Sequence, residues 1–394
     1  MNRNNLHTYH LRLTTLSPVH IGTGEVYEPT GFIIDEGKLY EFNPMEFYLA
    51  LDGSTRKNLE NLILNEQWID IIHFYRTQLD VAKKITFNQI NIVPSVEKKY
   101  KALLNEDGTE NTNQFLIEKT YIDPNTFTPV IPGSSLKGVL TSLLKITDDD
   151  TIEKRQELII SDSTFVSGDI EIGYSYRMNK EKNQKTLPQM LAVIKSGSVF
   201  HLTIKTTYTW EQIKNSAMEF YRSKNDKIDK VVSSGFIARI GKYCGQEFMI
   251  DQPLPQEKLP KTYTIYGNNE KFGWVELSNL DEEKNLEEKE YQSNIDYFLK
   301  SDDIQAIQHF IDKHPNGDRL DELIKYKERV IAQKQQNRHQ EVNEKFNRAY
   351  EVLEKKKGNQ KQYKKEKEKF IKKWKQEKNH KNSEYILKEI DKLK

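Results

Sequence analysis

The chain has 394 residues, with 60 Lys+Arg against 59 Asp+Glu, nine histidines and a single cysteine. That length suffices for two domains, or for one large domain with extensions. Cys244 alone excludes an internal disulfide framework and a thiolate zinc cage, no His-Glu-x-x-His or similar tight pair supports a metal, and no apolar run reaches membrane length.

The polar start and the lack of a signal-peptide core lead us to expect a soluble protein of the reducing cytoplasm, with no metal, no cofactor and no membrane partner. From Tyr9 to Thr15 apolar and polar residues alternate, which predicts a half-buried strand. It ends at Ser17-Pro18, and Val19-His20-Ile21-Gly22-Thr23-Gly24 leads into a flexible stretch. Gly31–Asp35 and Lys38–Phe42 read as a hairpin closed by Asp35-Glu36-Gly37. Asn43-Pro44 opens a short helix through Leu51, and residues 56–104 read as mainly helical, with Leu59, Ile71, Ile72 and Tyr75 among the core candidates. Asn105 to Asn113 is polar and reads as a loop.

Ile131-Pro-Gly-Ser-Ser-Leu-Lys-Gly138 carries the most information in the chain. Gly133 permits a backbone turn, and Ser134 and Ser135 are residues favoured at a helix N-cap. Leu136, Val139, Leu140, Leu143 and Leu144 then recur at helical spacing. A helix start has unpaired N–H groups and the positive end of the helix dipole, so two hydroxyls and the ammonium of Lys137 would stand beside an anion site suited to phosphate. The plainer alternative is a well-capped core helix with one exposed lysine. The spacing is not that of a nucleotide-binding P-loop, because the lysine precedes a glycine and follows Gly133 by too few residues. Gly22-Thr-Gly24 is not a dinucleotide fingerprint either, since Tyr27 stands where the third glycine belongs. A polymer backbone therefore fits better than ATP or NAD.

Beyond this helix, Asp148-Asp149-Asp150 could bind a cation or simply complement a helix start. Ile159–Phe165 and Asp169–Tyr174 read as short strands, 178–187 as a protruding polar loop, Ser198–Thr207 as a half-buried strand and Trp210–Tyr221 as an amphipathic helix. Tyr263–Tyr266 and Gly273–Leu277 read as a second hairpin-like unit. From Leu280 onward Glu, Lys and Gln dominate. Residues 321–394 hold 23 Lys+Arg and 13 Asp+Glu, a net +10, which leaves the first 320 residues at −9. Val342, Phe346, Tyr350 and Leu353 share one helix face, as do Phe370 and Trp374, with a break near Gly358-Asn359. We expect a body over 1–279, with a helical insertion around 43–127, and a basic helical tail over 280–394. The body is read as α+β with a largely antiparallel sheet.

Six short segments occur in one order: Leu16-Ser-Pro-Val-His-Ile-Gly-Thr-Gly24, Ile131–Gly138, Ile160-Ser-Asp-Ser163, Ala238-Arg-Ile-Gly241 with Gly245, Leu259-Pro-Lys-Thr262 and Phe272-Gly-Trp-Val275. In this they resemble the RAMP superfamily of CRISPR-associated proteins. Within it, the Pro-Lys-Thr and Gly-Trp-Val pair after an Arg-x-Gly segment is most similar to the large backbone-like Csm subunit of type III-A effector complexes, which caps the filament at the 3′ end of the guide RNA. The resemblance implies a ferredoxin-like, RRM-related core with inserted subdomains. It also implies CRISPR RNA and the neighbouring Csm backbone and small subunits as partners, with host trimming nucleases as candidate further partners.

Carried over by motif, Gly133, Ser134, Ser135 and Lys137 would grip guide-RNA phosphates, His20 and Gly24 would lie near the RNA path, and Arg239 and Lys261 would be further phosphate partners. Relatives that form the repeating subunit cleave target RNA with an aspartate in the loop after the first strand. Here that loop carries Glu25 and Glu28 and no aspartate before Asp35, so no catalytic residue is assigned. The leading expectation is a non-catalytic RNA-binding subunit that supports guide-RNA 3′ maturation. One alternative is a RAMP endoribonuclease with His20 as general base. Another is a recruitment factor whose basic tail, with Phe346, Tyr350, Phe370 and Trp374, docks a partner or stacks on RNA.

Overall fold

The computed structural model describes residues 6–103, 115–146, 158–182, 184–223, 235–245, 248, 260–376 and 384–393. The loop expected at Asn105–Asn113 and the acidic run Asp148–Asp150 lie outside these residues. The chain divides into two compact units, Met1–Lys284 and Asn285–Lys394.

The alternation of the first strand, His7–Thr15, sets the first sheet. Leu11 and Leu13 point to one face and are fully buried, while His10 on the other is exposed. Leu11 faces Leu202, and Leu13 faces Phe200 on one side and Leu277 on the other, so the register stacks apolar residues on a single face. The sheet order is Gly235–Arg239, Trp274–Asn279, His7–Thr15, Val199–Thr206, Leu158–Ile160, with Thr164–Ser167 also paired to Val199–Thr206. Every pairing in it is antiparallel. Helices Gly133–Leu143 and Trp210–Ser223 supply Leu136, Leu140, Leu143, Trp210, Ile213 and Phe220 to the same core. Apart from the added strands Thr164–Ser167 and Gly235–Arg239, the chain order is strand His7–Thr15, helix Gly133–Leu143, strands Leu158–Ile160 and Val199–Thr206, helix Trp210–Ser223 and strand Trp274–Asn279. The last strand lies beside the first and the third beside it on the other side, which agrees with a ferredoxin-like α+β core.

The second sheet has nine strands and begins at Gly22–Tyr27. Its centre is the long hairpin Ile170–Asn179 with Lys185–Ile194. Of the segment 178–187, expected as a protruding loop, the first two and last three residues are strand, and residues 180–182 form the turn of this hairpin. Phe32, Ile33 and Ile34 are all buried, so this region of the sheet is covered on both faces. One cover is the helical layer Pro44–Ala50, Gly53–Leu64, Trp68–Thr77 and Leu79–Ile85, contributing Phe47, Leu59, Ile71 and Tyr75. The helical reading of 56–104 missed the strand Asn88–Ile92, which pairs with Lys38–Glu41 and, in parallel, with Ile170–Asn179. The turn at Glu36-Gly37 has positive φ at both residues, as a tight hairpin turn demands.

The hairpin expected from Tyr263 to Leu277 does not exist. Thr262–Tyr266 turns onto Glu270–Lys271 in the second sheet, whereas Trp274–Asn279 belongs to the first. Gly273, at φ +89°, makes the change of direction.

The second unit is helical. Ile295, Ile307, Phe310, Leu320 and Leu323 form one core, and Phe346, Trp374, Ile386 and Ile390 form another with Tyr350 and Phe370 packed against it. The helix Leu320–Glu354 ends just before the expected break, and Gln360–Gln376 follows it.

Candidate functional site

Two knots of backbone gather five of the six motifs. The first joins Ile131–Gly138 to Ile160–Ser163. Gly133 N–H donates to Asp162 Oδ1 at 2.8 Å, Ile131 N–H donates to Ser163 Oγ at 2.8 Å, and Ser163 N–H returns to the Ile131 carbonyl at 3.1 Å. Ser161 is tied in turn to Thr203 of the first sheet, accepting its N–H at 3.0 Å. An added Cβ on Gly133 would stand 2.4 Å from the Ile160 carbonyl oxygen. Gly133 is thus needed for close approach of two backbones, and its φ is not in the left-handed region.

The capping expectation for Ser134 and Ser135 is also corrected. Gly133 is the first helical residue, Pro132 holds the N-cap position without a side-chain cap bond, and the carboxylate of Asp162 takes up the first N–H. Asp162 was not singled out from sequence, although it stands in a quoted motif. The consequence is that both serine hydroxyls remain unused: neither has a partner among the described residues. Ser134 and Lys137 are exposed, and Ser135 is half-buried. The opposite face of the same helix, Leu136, Val139, Leu140 and Leu143, is buried. This first turn therefore presents two hydroxyls and an ammonium to solvent from a rigidly anchored helix, the arrangement that grips phosphate oxygens without reading bases.

The second knot joins Leu16–Gly24, Ala238–Gly245 and Phe272–Val275. Gly273 N–H donates to the Pro18 carbonyl at 2.9 Å, Ile240 N–H to the Gly273 carbonyl at 2.8 Å, and Lys242 N–H to the His20 carbonyl at 2.8 Å. A Cβ on Gly273 would lie 2.4 Å from the Ile240 oxygen, and one on Gly241 would lie 2.7 Å from the His20 oxygen.

This knot buries two residues expected near RNA. Arg239 is 5% exposed. Its Nε donates to the Phe272 carbonyl at 2.9 Å, and its guanidinium lies 4.3 Å from the Phe248 ring centroid and 5.0 Å from that of Trp274. It is a structural cation, spent on the fold. His20 is 0% exposed. Its Nδ1 lies 2.8 Å from the Ala192 carbonyl, and since a carbonyl only accepts, Nδ1 carries the proton. Nε2 then faces Glu118 Oε2 at 3.4 Å without making a hydrogen bond. Burial, aided by the charge of Lys242, holds the His20 pKa below the usual histidine value against the opposing pull of the Ala192 carbonyl and Glu118. The ring is stacked against Tyr243 at 5.8 Å.

Glu118 organises this corner. It accepts from Lys242 Nζ at 2.9 Å and from Tyr243 Oη at 3.0 Å. Burial raises its pKa, but the hydrogen bonds from Lys242 and Tyr243 prevail and leave it lowered. Nothing in the local sequence announces Glu118, because its partners lie far along the chain. Gly24 is exposed with φ +83° and has open space around it, at the irregularity between Gly22 and Val26 in the edge strand Gly22–Tyr27. Lys261 is exposed, and its carbonyl accepts the Lys180 N–H at 2.9 Å. Leu259 of its motif lies outside the described residues. The structure thus places Ser134, Ser135 and Lys137 together, leaves Gly24 and Lys261 exposed elsewhere on the body, and withdraws His20 and Arg239 into the interior. Among the described residues no group of three or more His, Cys, Asp or Glu side chains could hold a metal, and no helix is long and apolar enough to cross a membrane.

A protein-family model of the RAMP superfamily matches residues 12–392. The protein named CRISPR system Cms protein Csm5 from Enterococcus italicus is 25% identical over 54% of this chain and 64% of its own length. The protein of the same name from Streptococcus thermophilus is 29% identical over 37% of this chain and 40% of its own length. The chain thus spans less than two thirds of these curated relatives. Among solved structures, a chain of a Csm–crRNA–target RNA ternary complex of a type III-A CRISPR-Cas system aligns with TM-score 0.51 and 15% identity, covering 69% of this chain and 100% of that one. At that identity the likeness is one of fold.

Proposed function

The chain belongs to the RAMP superfamily, and on that footing we propose that it is a non-catalytic RNA-binding subunit of a type III-A CRISPR (Csm) effector complex. In this reading it binds the 3′ region of the CRISPR RNA, caps the backbone filament and supports 3′ maturation of the guide in antiviral defence. Its partners are the guide RNA, the neighbouring Csm backbone and small subunits and, during maturation, a host trimming nuclease. The names of its curated relatives and the fold it shares with a Csm-complex chain support this assignment.

The observation that carries it is the first turn of the Gly133–Leu143 helix. Ser134, Ser135 and Lys137 are uncommitted donors on a helix whose other face is fixed in the core. Such a site accepts any sequence, as a guide-RNA holder must, because phosphate contacts position and do not specify. Asp162 sets its character. By satisfying Gly133 it removes the anion site along the helix axis and leaves side-chain donors to do the gripping. Against the endoribonuclease alternative stands the enclosure of its candidate general base: His20 is fully buried, and its basic nitrogen Nε2 faces Glu118 and not solvent.

The test is the salt dependence of guide-RNA binding by the assembled complex. Lys137→Ala should weaken binding and lower the slope of log K against log salt by about 1. An unchanged slope removes Lys137 from the interface. Co-expression of the other effector subunits with and without this chain should show loss of 3′-mature guide in its absence. Normal guide length would refute the capping role.

A further inference from the structure

The helix Gln360–Gln376 carries eight lysines against two glutamates. Its aromatic residues looked available for stacking in the sequence. They are not: Trp374 is 4% exposed and packs at 5.2 Å from Phe346, while Phe370 packs at 5.4 Å from the same ring. With one face of the helix consumed in this core, the other is left to lysine. Lys361, Lys364, Lys365, Lys369 and Lys372 are all exposed, and none has an ion-pair partner among the described residues. Steps of three and four residues place Lys361, Lys365, Lys369 and Lys372 along one ridge, which runs for about 16 Å at the helical rise.

We propose that this ridge is a second RNA-binding surface, one that tracks the phosphodiester backbone by charge alone. It lies in a unit separate from the Ser134–Lys137 site and goes beyond the reading of the body. Three observations select the ligand. The lysines stand close together and unpaired, which raises the self-repulsion a polyanion would relieve. The helix exposes no large apolar side chain, so it lacks the anchor that a protein interface centres on and the apolar face that a membrane-surface helix needs. Of its three rings, Trp374 is buried, Phe370 is packed on Phe346 and half-buried, and Tyr363 is half-buried with its hydroxyl bonded to Glu354, so the helix offers no row of open rings for unstacked bases. What remains is a row of ammonium groups suited to phosphates. Binding should be blind to sequence and steeply dependent on salt.

The experiment uses the full chain and a fluorescent single-stranded RNA of scrambled sequence. Replacing Lys361, Lys364, Lys365, Lys369 and Lys372 together by Gln keeps the helix propensity and the buried face. The slope of log K against log salt should fall by about 2 to 3.5, at about 0.7 for each single-strand phosphate no longer neutralised. The matching five-fold Lys→Arg variant should retain the slope. An unchanged slope in the glutamine variant overturns the proposal. So does equal loss in the arginine variant with helicity intact by circular dichroism, or a preference for vesicles of anionic lipid or for poly-glutamate over RNA at equal charge. The same titration with Lys137→Ala separates the two sites. Loss with the tail variant but none with Lys137→Ala sinks the body site and leaves this one standing, and the reverse result does the opposite.

Discussion

The two motif knots of the body are built from the same materials and end in opposite conditions. Each brings distant glycines against backbone carbonyls, and each holds a basic residue. Around Gly133, the polar atoms that lock the knot come from Asp162 and Ser163, so Ser134, Ser135 and Lys137 stay free at the surface. Around Gly273, the basic group itself becomes part of the lock, with Arg239 held against both Phe248 and Trp274, whose rings pack edge-on against each other. His20 is likewise sealed beneath Tyr243. A glycine-rich motif in this fold therefore marks where backbones cross. The proposed RNA contact belongs to the crossing that leaves donors over.

This contrast can be broken in several ways. The largest effect is expected at Gly273→Ala. Its Cβ would meet the Ile240 oxygen and would also adopt a positive φ, so overpacking and backbone strain together should cost the body about 3–4 kcal/mol. Calorimetry of the first unit's transition checks it, and a shift of only a degree or two would dissolve the knot as a structural idea. Arg239→Ala should follow at about 2–4 kcal/mol, because the guanidinium's desolvated stacking on Phe248 and Trp274 and its bond to Phe272 would go together. If instead it left stability intact and weakened RNA binding, Arg239 would rejoin the interface and the contrast would fail.

The third test is pH. The folded pKa of His20 is depressed, so between that value and the unfolded value of about 6.5 the unfolded chain binds more protons. Stability is therefore present above the unfolded value and falls with pH through the folded one. Glu118, also lowered, adds a further loss in the carboxylate range. His20→Asn should flatten the first decline in urea titrations, whereas a histidine exposed to solvent would give no such difference. Gly24→Ala, with positive φ but open space, should cost only about 1 kcal/mol. Smallest of all, Lys137→Ala should change stability by less than about 0.5 kcal/mol while it lowers the RNA salt slope. The pairing of a silent melting curve with an altered salt slope is what distinguishes a functional donor from a structural one.

Much of this was legible in the residues. The alternation of Tyr9–Thr15 and of Ser198–Thr207 marked two adjacent strands of the first sheet, because a period of two has only one way to bury Leu11 and Leu13. The apolar spacing after Gly133 marked the motif helix and its buried face. The motif order pointed to the superfamily that the family model then matched over residues 12–392. Less legible were elements whose partners are remote. Asn88–Ile92 is a strand because Lys38–Glu41 and Ile170–Asn179 flank it, and its own five residues carry little signal. Trp274–Asn279 looked like the return of a local hairpin, yet His7–Thr15 claims it.

The sequence by itself determined the periodic elements and the charge contrast between body and tail, since these depend on neighbouring residues and on composition. Only the tertiary structure decided which polar residues are available. Lys137 and Arg239 are both cations within short motifs of one chain, but the first stands on the outer face of a helix and the second beneath two aromatic rings. Burial is a sum over contacts from distant segments, and the free energy of desolvating a charge turns that sum into the difference between a ligand contact and a structural cation.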